Sequence, residues 1–333
     1  MSRSGGCCSR ARSPATHDHP ASGSEAIGAL SFERAGEWLA DHIAPVAAVA
    51  VVLGLLVPSH AVARRSDILL AALVLATAAQ IDPRQLRALR HRAIAICLMA
   101  IGVLLVLAFV GWAISRLFTG DVRLGVLALG LASTEVASVG LVGLAGGDTV
   151  LAVGVLTVSL VASAVLGPLL AGLLAHTTGH SSGASLLGRF ALVVLAPLAA
   201  GLGLRGIRPG LQRAAGTLNG VAALMVCALL YAAISGVHGG HQLLDGLIGS
   251  AGFIIVSAAL GVSIRSVWGE RGPDPSAIVF TTALRDFAVA AALAAQAFGT
   301  RAASVAGEYG ALMLLVGALA ATAARRRGRT AEN

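Results

Sequence analysis

Lysine is absent from the chain, whose 24 basic residues are all arginine. Charge of either sign is scarce: 12% of the 333 residues are Asp, Glu, Lys or Arg, against roughly a quarter in soluble domains. Hydrophobic residues make up 56%, so these few charges cannot solvate the surface of a water-soluble globule, and that class is excluded. Cysteine is also rare. Cys7, Cys8, Cys97 and Cys227 provide no disulfide framework, since two lie in apolar runs and two are adjacent near the N-terminus. Cys7 and Cys8 stand near His17 and His19, but neighbouring cysteines are poor spacing for one metal ion, and no metal site is expected. H-E-x-x-H, G-x-S-x-G and G-x-x-x-x-G-K-[ST] are all missing, which leaves catalysis without a motif and predicts a protein that is not an enzyme, with no cofactor.

What the chain has instead is long apolar runs. "AIAICLMAIGVLLVLAFVGWAI" (93–114) alone reaches the ~20 residues that carry a helix across a bilayer. Ten such helices are predicted, at about 40–58, 67–81, 93–115, 122–145, 149–175, 188–204, 217–236, 243–264, 276–298 and 302–324. The fold class is therefore an all-α polytopic membrane protein. Residues 1–30, rich in Ser, Gly, Pro and Arg, read as a disordered tail with no apolar centre for a signal peptide. Five spans in 31–176 and five in 188–324 flank a polar linker at 177–187, and residues 325–333 form a basic tail. An odd number of spans per half sets the halves in opposite orientations, so two inverted repeats are expected.

The net charge of +8 does not point to nucleic acid, because almost every arginine lies outside the apolar spans. With the N-terminus inside, the inner loops and the C-terminal tail hold thirteen arginines and the outer loops six. Both termini are accordingly predicted to be cytoplasmic, in a plasma (inner) membrane, with the lipid bilayer as the surrounding partner and the oligomeric state open.

Three ionisable residues fall deep inside predicted spans: Glu135 in the fourth, and Arg285 with Asp286 in the ninth. Charge at membrane depth costs several kcal/mol and marks function by default. Both neighbourhoods are polar, with Ser133, Thr134 and Ser138 around the first and Thr281 and Thr282 before the second. Such clusters suit helices that unwind at the membrane centre and point their N-terminal ends at an anion. These eight residues are the candidate substrate or coupling site. A purely structural alternative has Arg285 and Asp286 paired with Glu135, or with each other, to tie two helices together. Asp148 reads as part of a tight turn. Asp245 and Glu308 are expected to reach water near span ends, and His176, His180, His238 and His241 to lie in loops.

"DILLAALVLATAAQIDPRQLRALRHRAIAI" (67–96), "ASVGLVGLAGGDTVLAVGVLTVSLVASAVLGPLLAGLL" (137–174) and "ALRDFAVAAALAAQAFG" (283–299) resemble, in order and spacing, segments of the bile acid:sodium symporter family. The resemblance covers nearly all of 37–324. It implies ten helices, with spans 1, 2, 6 and 7 as a panel, spans 3–5 and 8–10 as a core, and broken spans 4 and 9 crossing near the centre. It also implies sodium-coupled transport of organic anions. The family's sodium-ligand positions, however, align with Val139 after Ser138, and with Ala152, Leu156, Gly102, Thr281 and Arg285. The expectation is a secondary transporter of a small organic anion working by alternating access, with sodium-independent or proton-coupled action and Arg285 in place of an ion. The rivals are a receptor or scaffold that kept the fold without transport, and an ordinary sodium symporter with an altered ion site. The arsenite permeases share the fold, but "LASTEVAS" lacks their Cys and Ala288 replaces their acidic residue, so arsenite is not expected.

Overall fold

The computed structural model describes residues 38–39, 42–63, 65–81, 84, 89–145, 147–175, 183–208, 214–237, 239–268 and 274–332. The predicted tail at 1–30 and most of the 177–187 linker lie outside them, as do His176, His180 and His238. Apart from one two-residue bridge, the described residues are helical or in turns: α1 (Ile43–Leu56), α2 (His60–Ala63), α3 (Ser66–Ala78), α4 (Ala93–Ser115), α5 (Gly120–Leu131), α6 (Ala137–Leu144), α7 (Thr149–Ala175), α8 (Gly183–Ile207), α9 (Ala215–Ile234), α10 (Gly240–Trp268), α11 (Pro275–Ala283), α12 (Phe287–Ala297) and α13 (Thr300–Glu332).

Among the described residues, five helices are long and apolar enough to cross a membrane: Leu89–Ser115, Thr149–Ala175, Ser185–Ile207, Ala215–Ile234 and Gly240–Ser266. At 1.5 Å per residue the 23 residues of α4 rise about 34 Å, enough for the hydrocarbon core. Their outward faces are apolar. Ile94, Leu98 and Phe109 of α4 are 79%, 70% and 64% exposed, a cost in water that lipid removes. The protein is thus a multi-span helical membrane bundle. Pro45–Leu56, Ser66–Ala78 and Phe287–Ala297 are apolar but shorter.

The predicted fourth and ninth spans each come apart, into α5 and α6 and into α11 and α12. Neither break contains Pro or Gly, whereas Pro168 and Pro197 sit inside the unbroken α7 and α8. The breaks are made by tertiary pairing, described below. Elsewhere predicted and observed ends differ by a few residues: α8 and α10 run longer than 188–204 and 243–264, and α13 continues through the predicted basic tail to Glu332.

The helices pack in two sets. In one, α3 lies against α8 and α9, and α9 against α1. In the other, α4 packs on α5 and α7, and α13 packs on α10 and α12. The sets meet along α7–α8 and α9–α13. Small residues allow the closest approaches, as expected where helices associate in lipid. A Cβ on Gly111 of α4 would come within 2.9 Å of the Gly130 Cα on α5. At the end of α6 the chain turns through Gly147, where a Cβ would overlap the side chains of Asp274 and Ser276. Asp274 caps α11 by accepting from the Ser276 N–H and also accepts from the Asp148 N–H, tying that turn to α11. Burial pushes its carboxyl up, but these hydrogen bonds together outweigh it and hold the group below its usual value.

Candidate functional site

The two breaks meet. Ala132 and Leu284 are extended where α5 and α11 stop, and Thr134 and Arg285 face each other in an antiparallel bridge. The Asp286 N–H donates to the Ser133 carbonyl at 2.8 Å, and the Glu135 N–H to the Leu284 carbonyl at 3.1 Å. Four helix ends therefore surround one crossing: the C-termini of α5 and α11, and the N-termini of α6 and α12.

Unwinding frees backbone groups that lipid cannot satisfy, and hydroxyls from neighbouring helices take them up. Ser159 of α7 accepts from the Thr134 N–H at 3.0 Å, and Tyr309 of α13 accepts from the Arg285 N–H at 2.9 Å. Ser163 of α7 donates to the Leu131 carbonyl at 2.7 Å, and Ser257 of α10 to the Ala283 carbonyl at 3.0 Å. Thr134 donates to the Thr281 carbonyl at 3.0 Å. None of Ser159, Ser163, Ser257 or Tyr309 was among the residues expected from sequence. Their only signal was a hydroxyl on an apolar span, and apolar spans carry many such hydroxyls.

All eight expected residues lie at or beside the crossing, each buried to 7% exposure or less. Asp286 is the N-cap of α12: its Oδ1 accepts from the N–H groups of Ala288 and Val289 at 2.9 and 3.0 Å. Arg285 is fully buried, and its Nη2 donates to the carbonyl of Ala132 at the end of α5. Its Nε and Nη1 have no partner, and it forms no ion pair with Glu135 or Asp286. The pairing considered from the sequence is thus replaced by a contact with a helix C-terminus, where a cation is favoured by the helix dipole. Glu135 lies near the N–H groups of Val136, Ala137 and Phe287, yet its Oε2 has no hydrogen bond. The Ser133 hydroxyl is also unpartnered, Thr282 is buried, and Ser138 donates to the Glu135 carbonyl at 2.6 Å.

A cavity of about 230 Å³ opens beside the crossing, between α3, α8 and α9 on one side and α6 and α7 on the other. Its walls are mostly apolar, with Thr77, Gln80, Thr157, Asn219 and Asp286 as the polar lining. Thr77, Gln80 and Thr157 donate to carbonyls of their own helices, which leaves their acceptor oxygens to a solute. Asp286 is the one crossing charge that reaches this space.

The aligned sodium positions do not fit that ion. Val139, Ala152, Leu156 and Gly102 carry no side-chain oxygen, and the Thr281 hydroxyl is turned to the Ala277 carbonyl of its own helix at 2.6 Å. Two expectations are overturned, the lesser being His241, which lies in the first turn of α10 and not in a loop. Glu308 does not reach water: it is 1% exposed, with both carboxylate oxygens unpartnered. Gly246 of α10 has no side chain there, so α10 closes over it. Asp245 is exposed as expected.

Comparison with known proteins bears on the first part of this arrangement. A family model described as Sodium Bile acid symporter family matches residues 67–243, just over half of the chain. That segment runs from α3 into α10, so it includes the first break but not the second. No curated protein matches the chain.

Proposed function

Because the chain belongs to the Sodium Bile acid symporter family, we propose that it is a secondary transporter that moves a small organic anion without sodium. The family membership carries the transport class, and catalysis has no part in it. The observation that supports the rest is the cavity at the joint between the two helix sets. A space of about 230 Å³ with mostly apolar walls suits a compact solute with a hydrocarbon body, and the side-chain amides of Gln80 and Asn219 are the lining groups that can donate to its anionic end.

Ten crossings are obtained by counting α5 with α6 and α11 with α12 as one broken span each, and the two halves then form inverted repeats. The hydrogen bonds are consistent with this: Thr134 reaches Ser159 over 25 residues, and Arg285 reaches Tyr309 over 24. The α1, α3, α8 and α9 set is the panel, and the set containing the crossing is the core. Alternating access is motion of the core against the panel. The cavity lies toward the ends of α3, α8 and α9 that adjoin the arginine-rich loops, so this conformation faces the cytoplasm, with both termini on that side.

The reading is tested by uptake of labelled carboxylates and sulfonates into proteoliposomes under a sodium gradient, a proton gradient or neither. Flux of one class that is indifferent to sodium is expected. Accumulation that follows sodium would show an ordinary symporter and an ion site elsewhere, and no flux of any compound would favour a receptor or scaffold.

A further inference from the structure

We propose that Glu135 is a proton-binding site, and that one proton on its carboxyl completes the charge balance of the crossing. The proposal rests on the transport reading only for what the proton does in a cycle; the site itself stands on geometry.

The crossing holds two acidic groups and one basic group, Glu135, Asp286 and Arg285, all buried. Two helix N-termini and two C-termini also converge there. Each N-terminus carries roughly half a positive charge and each C-terminus roughly half a negative one, so the four ends cancel to first order. One negative charge remains unbalanced in an apolar surrounding, where an unpaired charge is not sustained.

Local pairing identifies its owner. Asp286 is satisfied at the start of α12 through Oδ1, and it also lines the cavity. Arg285 sits on the carbonyl end of α5 at Ala132. Glu135 is left with an oxygen that no donor meets. The titratable groups facing it are Asp286 from the opposite strand and the Tyr309 hydroxyl from α13. The near carboxylate of Asp286 favours a neutral neighbour, and Arg285 forms no ion pair with Glu135. A proton on Oε2 gives that oxygen a donor and leaves the crossing neutral. The reaction is simple binding: the carboxylate takes H⁺ from water in the cavity beside Asp286 and returns it when the site is exposed again. A neutral crossing also lets an anionic solute approach the Asp286 wall, so solute and proton travel together.

The experiment is infrared difference spectroscopy of the purified full-length protein in lipid nanodiscs, across a pH series, in H₂O and D₂O. No transported compound is needed, so a failure here is separate from a failure of the flux assay. The expected result is a carboxylic-acid band that shifts in D₂O, is lost in E135Q, persists in E308Q, weakens in D286N, where Glu135 and Arg285 balance without a proton, and is the same in sodium and choline chloride. The E308Q spectrum removes the contribution of the other buried, unpartnered carboxyl. R285Q provides a second arm with Glu135 intact: two acids without the cation should give a larger carboxylic-acid band. Persistence of the band in E135Q, its loss on adding sodium, or an unchanged band in R285Q would overturn the proposal.

Discussion

At the scale of single residues, Arg285 is the least ordinary feature of the protein. Among the described residues it is the largest fully buried side chain, and it has no carboxylate partner. Its observed work is one hydrogen bond from Nη2 to Ala132, plus the volume it fills. R285Q keeps part of the volume and a donor, although its amide stops two bonds short of the Nη2 position, and it removes a desolvated charge, so its stability should fall by about 1 kcal/mol. R285A opens a cavity and orphans the Ala132 carbonyl, which should cost about 2–5 kcal/mol. Thermal unfolding in detergent reads the difference. Equal losses in both variants would mean that the charge itself holds the crossing. That Glu135, Arg285 and Asp286 lie inside spans was legible in the sequence, because they interrupt long apolar runs. Their partners were not. Whether Arg285 finds a carboxylate or a helix C-terminus depends on how two strands 150 residues apart cross. Glu308 shows the same limit, since its burial depends on the glycine at 246 of another helix.

At the scale of elements, the broken helices depend on hydroxyls supplied by their neighbours. The sequence around each break contains no helix breaker, so propensity alone predicts continuous spans at 122–145 and 276–298. Polar clusters in those spans pointed to unwinding, but the residues that make it affordable lie on α7, α10 and α13. In S159A the Thr134 N–H loses its acceptor, and in Y309F the Arg285 N–H does. Each buried N–H left unpaired should cost about 1–3 kcal/mol. The two bonds sit on opposite strands of one bridge, so the double variant should differ from the sum of the singles. Strict additivity in thermal unfolding would indicate that the strands respond separately. Continuous apolar spans were easier to read: the predicted 149–175 is α7 to the residue, because length and hydropathy alone determine such a helix.

At the scale of the whole molecule, the two helix sets are joined differently at their two ends. At one end lies the cavity. At the other, Asp67 in the first turn of α3 accepts from Gln296 at the end of α12 and from Arg189 of α8, each at 2.8 Å. The bond to Gln296 crosses between the sets. Asp67 and Gln80 are separated along α3 and its following turn by about 20 Å, so the tie is remote from the cavity it opposes. Arg189 is 69% exposed, and its ion pair contributes little by itself, about 0–1 kcal/mol. The Asp67–Gln296 bond is partly buried and charged on one side, worth about 1.5–3 kcal/mol. Since 1.4 kcal/mol is a tenfold change in an equilibrium, losing it should raise the share of molecules open at that end by roughly tenfold or more. Ala291 is the place to detect this: it lies on α12, is 3% exposed, and lines a small gap between the sets near that end. In an A291C background otherwise free of cysteine, Q296A should accelerate reaction with a membrane-impermeant thiol reagent applied at the Asp67 end. A Thr77 cysteine in the cavity should become slower to react from the opposite side. An unchanged rate at 291 would make the Asp67 cluster a static brace, and the two sets would then have to separate along another line.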